Sequence, residues 1–247
     1  MAAKKHIDDI LKHWPYDSSQ LAVRIVSGKD SRDVIQMRID MGILQLETTG
    51  RPDGTVPEGS DTYYDYLLSQ VADQGDELVM SEDHCNEADR EFVQYYHRRV
   101  CWLTLREFSR AVDDAQHTLA LMDFCRKHSP DEEWTMSHEQ YRPFVLFHRT
   151  QAAALASLES SGAESAIQEL NEGLDDFRNV FREYDAEEQM EDDELVQRLI
   201  EMRESLREQF EIGRTLEEQL TDAVESEQYE LAAQLRDQLA RRTDGEH

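Results

Sequence analysis

The chain has 247 residues, which is room for one large domain or about two smaller ones. Its 26 Lys and Arg residues stand against 54 Asp and Glu residues, which gives a formal net charge of −28. Proteins that bind nucleic acid directly owe much of their affinity to basic side chains on phosphates, so this balance argues against a direct nucleic-acid binder. It disfavours an anionic membrane surface for the same reason.

The N-terminal sequence and the cysteines indicate where the protein acts. No apolar run approaches the roughly 20 residues of a membrane span, and two acids follow the basic N-terminus too early for a signal peptide. Cys85, Cys101 and Cys125 have no CxxC spacing, so we expect free thiols and neither a disulfide framework nor a zinc site. We therefore expect a cytoplasmic protein without a metal or cofactor.

The first 60 residues contain the strand signals. A short amphipathic helix begins at Ile7 and is ended by Pro15. A strand at 21–26, a turn at 27–32 and alternating apolar residues over 35–43 together predict a β-hairpin. A helix over 33–47 is the alternative. The Gly- and Pro-containing stretch 50–59 is a loop in either case.

Beyond about residue 61 the apolar spacing predicts helices separated mostly by short connections. A polar loop is expected at 73–86 within this series. The predicted helices lie at 62–73, 88–105, 108–127, 137–160, 163–182, 191–211, 214–225 and 229–242.

Two of these helical pairs have large and small residues at tetratricopeptide-like positions. The first set is Tyr95, Trp102, Phe108, Ala111, Ala115 and Leu119, and the second is Ala154, Ala166, Ile167, Leu170, Gly173 and Leu174. Two features depart from that pattern. Arg99 stands where a small residue is expected, and Ala111 and Ala166 are 55 residues apart instead of about 34.

The predicted fold is mainly α. It is an irregular tetratricopeptide-like helical solenoid with a small N-terminal β-hairpin element and a C-terminal helical hairpin. We divide it into a small α/β element with a Gly/Pro-rich loop at 1–60, tetratricopeptide-like hairpins at 61–212 and the C-terminal hairpin at 213–247. The aromatic pair Phe144 and Phe147 is expected in the core.

The C-terminal hairpin carries the most specific motif. The facing residues across a tight turn are expected to be Leu216, Leu220 and Ala223 on the first helix and Ala232, Ala233, Leu235 and Leu239 on the second, with Tyr229 packed at the start of the second helix. The second helix also contains the contiguous run Ala-Ala-Gln-Leu-Arg-Asp at 232–237. Two helices this short bury little apolar area and gain stability by packing on something else.

This segment resembles the UVR motif, a helical hairpin named for the excision-repair proteins UvrB and UvrC. The resemblance to the UVR motif covers about 28 of the 247 residues, and it implies a docking module for protein partners of the excision-repair or Clp-protease type. Separately, residues 36–54 resemble the start of bacterial proteins that carry this motif. The residues expected to contact the partner are Leu216, Leu220, Tyr229, Ala232, Ala233, Leu235, Arg236 and Asp237.

Several signatures of the better-known proteins with this motif are missing. The sequence contains no GxxxxGK[ST] loop, which argues against a helicase or a Clp ATPase. We therefore predict a non-enzymatic cytoplasmic adaptor. A homo-oligomer in which the hairpin pairs with itself is a further alternative.

Polar residues near the predicted strands form a second candidate site. The residues that could line a pocket for a small ligand or a peptide terminus are Gln36, Arg38, Asp40, Arg51 and Asp53. Alternatively, Arg51 and Asp53 only order their own turn and Arg38 pairs with Asp40 on one face of a strand. The acidic run at 187–194 is interpreted as a solvated linker and helix start, or as an attractive surface for a basic partner.

Overall fold

The computed structural model describes residues 7–75 and 77–245 and is mainly helical. It divides into two compact units, Met1–Ala152 and Ala153–His247. The predicted mainly α class, with a small N-terminal sheet and a C-terminal helical hairpin, is confirmed. The likeness to tetratricopeptide repeats and the three-part domain division stay predictions.

The N-terminal unit contains the sheet and the first helices. Its elements are α1 (Ile7–His13), β1 (Val23–Ser27), β2 (Asp33–Ile39), β3 (Gly42–Glu47), α2 (Tyr63–Gln74), α3 (Glu82–Leu105), α4 (Phe108–His128), α5 (Glu132–Glu139) and the larger part of α6 (Arg142–Ser160). The C-terminal unit continues with α7 (Ala163–Glu183), α8 (Glu194–Phe210), α9 (Leu216–Glu225) and α10 (Tyr229–Gly245).

The sheet is an antiparallel meander in the order β1-β2-β3. The hairpin interpretation of β1 and β2 is correct and the alternative helix over 33–47 is wrong. The single strand expected over 35–43 is also wrong, because the chain reverses at Asp40–Met41, where Ile39 pairs with Gly42. Met41 is 91% exposed. The alternation of apolar and polar residues therefore continues through the turn, although Met41 does not belong to the buried face of the sheet.

Three predicted helix boundaries need correction. The loop expected at 73–86 is shorter, because the Ser81 hydroxyl accepts from the His84 backbone N–H at 3.2 Å and α3 begins at Glu82. The helix expected over 137–160 is two helices, α5 and α6, and Pro143 lies in the first turn of α6, where a missing N–H costs nothing. The helix expected from 191 begins at Glu194, after a 3-10 segment Glu187–Asp192.

Apolar burial and a polar network hold the N-terminal unit together. Trp102, Leu67 and Leu121 are at most 1% exposed. Arg98 on α3 donates to the Asp114 carboxylate on α4 at 2.7 Å and to the Gly50 carbonyl, also at 2.7 Å. One side chain thereby joins two helices to the loop that follows the sheet.

The C-terminal unit has its own apolar core. Ile167, Leu170 and Phe177 on α7 are fully buried, at the three- and seven-residue spacings of one helix face. Val196 and Leu199 on α8 are buried to the same degree, and α7 packs on α8.

Candidate functional site

The first helix of the C-terminal hairpin begins at a capping box. The Thr215 hydroxyl accepts from the Glu218 backbone N–H at 3.2 Å, and the Glu218 carboxylate accepts from the Thr215 backbone N–H at 2.8 Å. Both of these donors would otherwise lack partners at the helix start, so the pair defines where α9 begins.

A tight turn separates the two helices. Glu227 adopts a left-handed conformation with φ of 56°, and the Gln228 N–H donates to the Ala223 carbonyl at 2.7 Å. This bond closes the end of α9 as in a Schellman motif and directs the chain into α10.

Small residues let the two helices approach closely. Ala223, Ala232 and Leu235 are at most 8% exposed and form one cluster, against which Leu216 and Leu220 pack. Four of the eight residues expected to contact a partner thus lie in the hairpin's own interior: Leu216, Leu220, Ala232 and Leu235. Their role is to hold α9 against α10.

The remaining four predicted contact residues lie further out. Tyr229 is 68% exposed, so its expected packing at the start of α10 is wrong. Arg236 and Asp237 are exposed and pair with one another at 3.2 Å, while Ala233 is half-buried.

Sequence reasoning missed two apolar side chains on the outside of the hairpin. Val224 is 51% exposed and Leu231 is 43% exposed. Leu231 and Tyr229 line a shallow cleft whose other lining residues are polar or acidic: Glu227, Gln228, Glu230 and Gln234. We call the three exposed side chains on either side of the turn between α9 and α10, those of Val224, Tyr229 and Leu231, the outer apolar patch. The sequence carries a signal for these two side chains, because Val224 and Leu231 are apolar but are not among the residues predicted to face each other across the hairpin.

A polar contact joins the hairpin to the preceding helices of its unit. The Glu218 carboxylate accepts from Asn171 on α7 at 3.1 Å and forms an ion pair with Arg207 on α8. Burial by itself raises the pKa of Glu218, but the Thr215 N–H and the Arg207 guanidinium outweigh burial and leave that pKa below its usual value. The hairpin is therefore attached through a charged contact near the start of α9.

The second candidate site, in 36–59, is not one pocket. The Gln36 side chain lies between those of Arg24 and Gln45 on the sheet surface. The Arg38 guanidinium donates to the backbone carbonyls of Trp14 and Gly42, at 2.8 and 2.9 Å. Arg38 therefore stabilises the turn after β2. It contacts the backbone carbonyl of Asp40 and not its carboxylate, so the predicted pairing of these two side chains is wrong.

Arg51 and Asp53 belong to a different cluster. Asp53 accepts from the Thr55 N–H at 2.9 Å, which is the turn-ordering role expected for it. Arg51 instead reaches helix α3, where it pairs with Glu87 at 2.8 Å and with Glu91 at 3.3 Å. The structure thus brings Arg51 and Asp53 together and keeps the other three predicted pocket residues apart from them.

Glu91 is the central acceptor of that cluster and is fully buried. Its carboxylate accepts from the backbone N–H groups of Tyr63 and Tyr64, at 2.7 and 3.0 Å, at the start of α2. It also contacts the His117 ring nitrogen at 2.9 Å. The positive end of α2 and the Arg51 guanidinium compensate its charge, so the role of Glu91 is structural.

The described residues contain no metal-binding cluster and no exposed cysteine. Within 7–75 and 77–245 no group of three His, Cys, Asp or Glu side chains is placed to hold a metal ion. The three cysteines are free and buried, and burial raises the pKa of Cys101 to about 12, so its thiol stays protonated. In that part of the chain no helix has the length and apolarity needed to cross a bilayer.

Comparison with known families identifies the hairpin. Residues 214–241 match the UvrB/uvrC motif, which spans α9 and most of α10. The expected motif is therefore present, and it is associated with protein–protein contacts of the DNA-repair kind. Searches of curated proteins and of solved structures returned no match.

Proposed function

We propose that this protein is a non-enzymatic adaptor that docks a protein partner through the outer apolar patch of its C-terminal hairpin. The observation that carries the proposal is the exposure of Val224, Tyr229 and Leu231 on a hairpin whose interior is already filled by other side chains. Because the interior is complete, these three side chains are not needed to hold α9 against α10.

The composition of the patch fits a docking role. Tyrosine is enriched among residues that dominate binding energy at interfaces, since it offers a large contact area and a polar hydroxyl. The UvrB/uvrC motif at the same residues supports a protein ligand. We therefore expect the partner to be of the excision-repair or Clp-protease type.

The charge of the C-terminal unit narrows the chemistry of the partner. Residues 153–247 hold 9 basic and 27 acidic side chains, a net charge of −18. A surface of this sign favours approach by a basic protein surface and repels nucleic acid. A repair role would accordingly operate through the protein partner, and association should slow as salt concentration rises.

The proposal can be tested with purified candidate partners. Immobilised full-length protein is exposed to UvrB, UvrC and a Clp-type ATPase, and binding is compared with that of the double variant Tyr229→Ala, Leu231→Ala. We expect at least one to bind and the double variant to bind it about tenfold more weakly or worse, because the patch supplies the buried apolar contact.

The matched control is Val79→Ala, which truncates a 63% exposed valine outside the hairpin. It should bind like the unaltered protein. If none of the three proteins binds, or the double variant binds as well as the control, the proposed docking surface is wrong. A concentration-dependent mass that the double variant abolishes would instead support the homo-oligomer.

A further inference from the structure

A second cleft lies in the N-terminal unit, between α3, α4, α5 and α6. Its volume is about 620 Å³, within the range of roughly 300–1,000 Å³ typical of small-molecule sites. The walls are largely apolar and include Phe92, Val93 and Tyr96 from α3, Met122 from α4 and Phe144 from α6. Phe144 was expected in the core, but it is 36% exposed and faces this cleft, whereas Phe147 is buried.

Arg99 lies in this cleft and is 1% exposed. Its Nε donates to Nδ1 of His148 at 3.3 Å, and its Nη1 donates to the Thr118 hydroxyl at 3.0 Å. Over the described residues its Nη2 makes no hydrogen bond and no carboxylate forms an ion pair with its guanidinium. The adjacent Arg98 takes the Asp114 carboxylate.

The two hydrogen-bond partners of Arg99 are neutral, and Asp114 compensates its charge only through space, because the Asp114 carboxylate is bonded to Arg98. Burial, together with the Arg99 charge, lowers the pKa of His148 to about 4, so this imidazole is neutral at pH 7. Burial also lowers the pKa of Arg99, to about 10, and the guanidinium still stays cationic at neutral pH. A buried charge without a directly bonded counter-charge is costly, and an anionic ligand in the cleft would supply that direct contact.

The other end of the cleft has the opposite sign. Asp89 lies ten residues before Arg99 on α3, about 15 Å away along the helix axis. Its carboxylate already accepts from the Trp134 ring N–H at 3.0 Å and contacts the His138 ring nitrogen at 2.8 Å. The apolar wall of Phe92, Val93 and Tyr96 lies on the stretch of α3 between the two charges.

We propose that this cleft binds a small amphipathic carboxylate, with its anionic head on Arg99 and its apolar body along the α3 wall. The free Nη2 donor and the neutral partners of Arg99 select an anion, and the aliphatic and aromatic walls select an apolar body. This site is independent of the hairpin and of the function proposed for it.

Dodecanoate is a direct probe of this proposal, and dodecan-1-ol is the matched neutral molecule. Titration of the full-length protein, followed by calorimetry at concentrations below micelle formation, should show dodecanoate binding about tenfold more tightly or better than the alcohol. The difference reports the charged hydrogen bonds to Arg99. Equal affinity for the two probes, or no binding of dodecanoate, would overturn the proposal.

Two variants locate the site. Arg99→Met should weaken dodecanoate by about tenfold or more and leave the alcohol unchanged. Its melting temperature should equal or exceed that of the unaltered protein, because a buried charge that lacks a directly bonded counter-charge is removed. A fall in melting temperature with unchanged dodecanoate affinity would show that Arg99 has a structural role only.

Val93→Asp keeps the test decisive if Arg99→Met does not fold. Val93 is 55% exposed, so the substitution is tolerated, and it places an anion on the apolar wall. We expect dodecanoate to bind about tenfold more weakly. The control is Val79→Asp, at a 63% exposed valine outside the cleft, and equal losses in both variants would contradict the assignment.

Discussion

Glu91 shows how a single carboxylate organises the N-terminal unit. It accepts from two backbone N–H groups of α2 and contacts Arg51 and His117, so four groups from three parts of the chain meet at one side chain. A buried charge that loses its partner is far more costly than an exposed one. The stability of this unit should therefore depend strongly on Glu91.

We predict that Glu91→Gln lowers the free energy of unfolding by about 2 kcal/mol, because the backbone donors of α2 lose a charged acceptor and Arg51 keeps only its more exposed partner Glu87. The control is Glu107→Gln, which breaks an exposed pair with Arg110 at 3.9 Å and should cost less than about 0.5 kcal/mol. Urea titration followed by circular dichroism measures both. Equal midpoints for the two variants would show that the Glu91 contacts contribute little.

The environment of individual arginines could not be predicted from the sequence. The sequence shows an arginine, Arg99, at a position where the repeat pattern expects a small side chain. Its burial and its lack of a carboxylate partner become visible only when α4 and α6 are placed around it. Arg38 and Arg51 are 13 residues apart and were grouped because they are near in sequence. The sheet and α3 separate them, since each finds its partners through tertiary contacts.

At the level of elements, the contact between α8 and α9 is charged and should respond to pH. The folded pKa of Glu218 lies below its usual value, which is about 4.3 in an unfolded chain. Stability from this contact is therefore present above about pH 4.3 and is lost as pH falls through the lower, folded pKa.

We predict that the hydrogen-exchange protection of α9 decreases as pH falls below about 4.3 in the unaltered protein. Glu218→Gln keeps an acceptor for the Thr215 N–H but loses the ion pair with Arg207. Its α9 should be less protected at pH 7 and should change less with pH. The same pH dependence in both proteins would show that Glu218 is not the titrating group.

Strong local signals allowed most elements to be predicted. Two-residue alternation and the turn before it predicted the hairpin of β1 and β2. The apolar spacing located α4, α7, α9 and α10 to within a few residues, and it located the end of α3 but not its early start. The turn at Asp40–Met41 and the break before Arg142 were missed. Apolar periodicity continues through both, and only the backbone geometry shows where the chain changes direction.

The whole molecule carries a net charge of −28, and 32% of its residues are charged. Like charges at this density repel one another and destabilise the compact state. Salt reduces that repulsion, since the Debye length falls from about 10 Å at 0.1 M to about 3 Å at 1 M.

We predict that the melting temperature rises by several degrees between 0.1 and 1 M sodium chloride, on the scale of about 1 kcal/mol of relieved repulsion. Sucrose in place of salt is the control, because it is excluded from the protein surface but does not screen charges. Circular dichroism at increasing temperature measures both series. A melting temperature that is flat or falls with salt would show that ion pairs outweigh the net repulsion.

The adaptor function requires that the outer apolar patch contact another protein. The most direct test replaces Tyr229 with a photoreactive phenylalanine and illuminates the protein in cell extract. Tyr184, which is 44% exposed in the same unit, serves as the control position. We expect one major crosslink from position 229, to a repair or Clp-type protein, and none to that protein from position 184. Crosslinks from position 229 only to copies of this chain, or the same products from both positions, would contradict it.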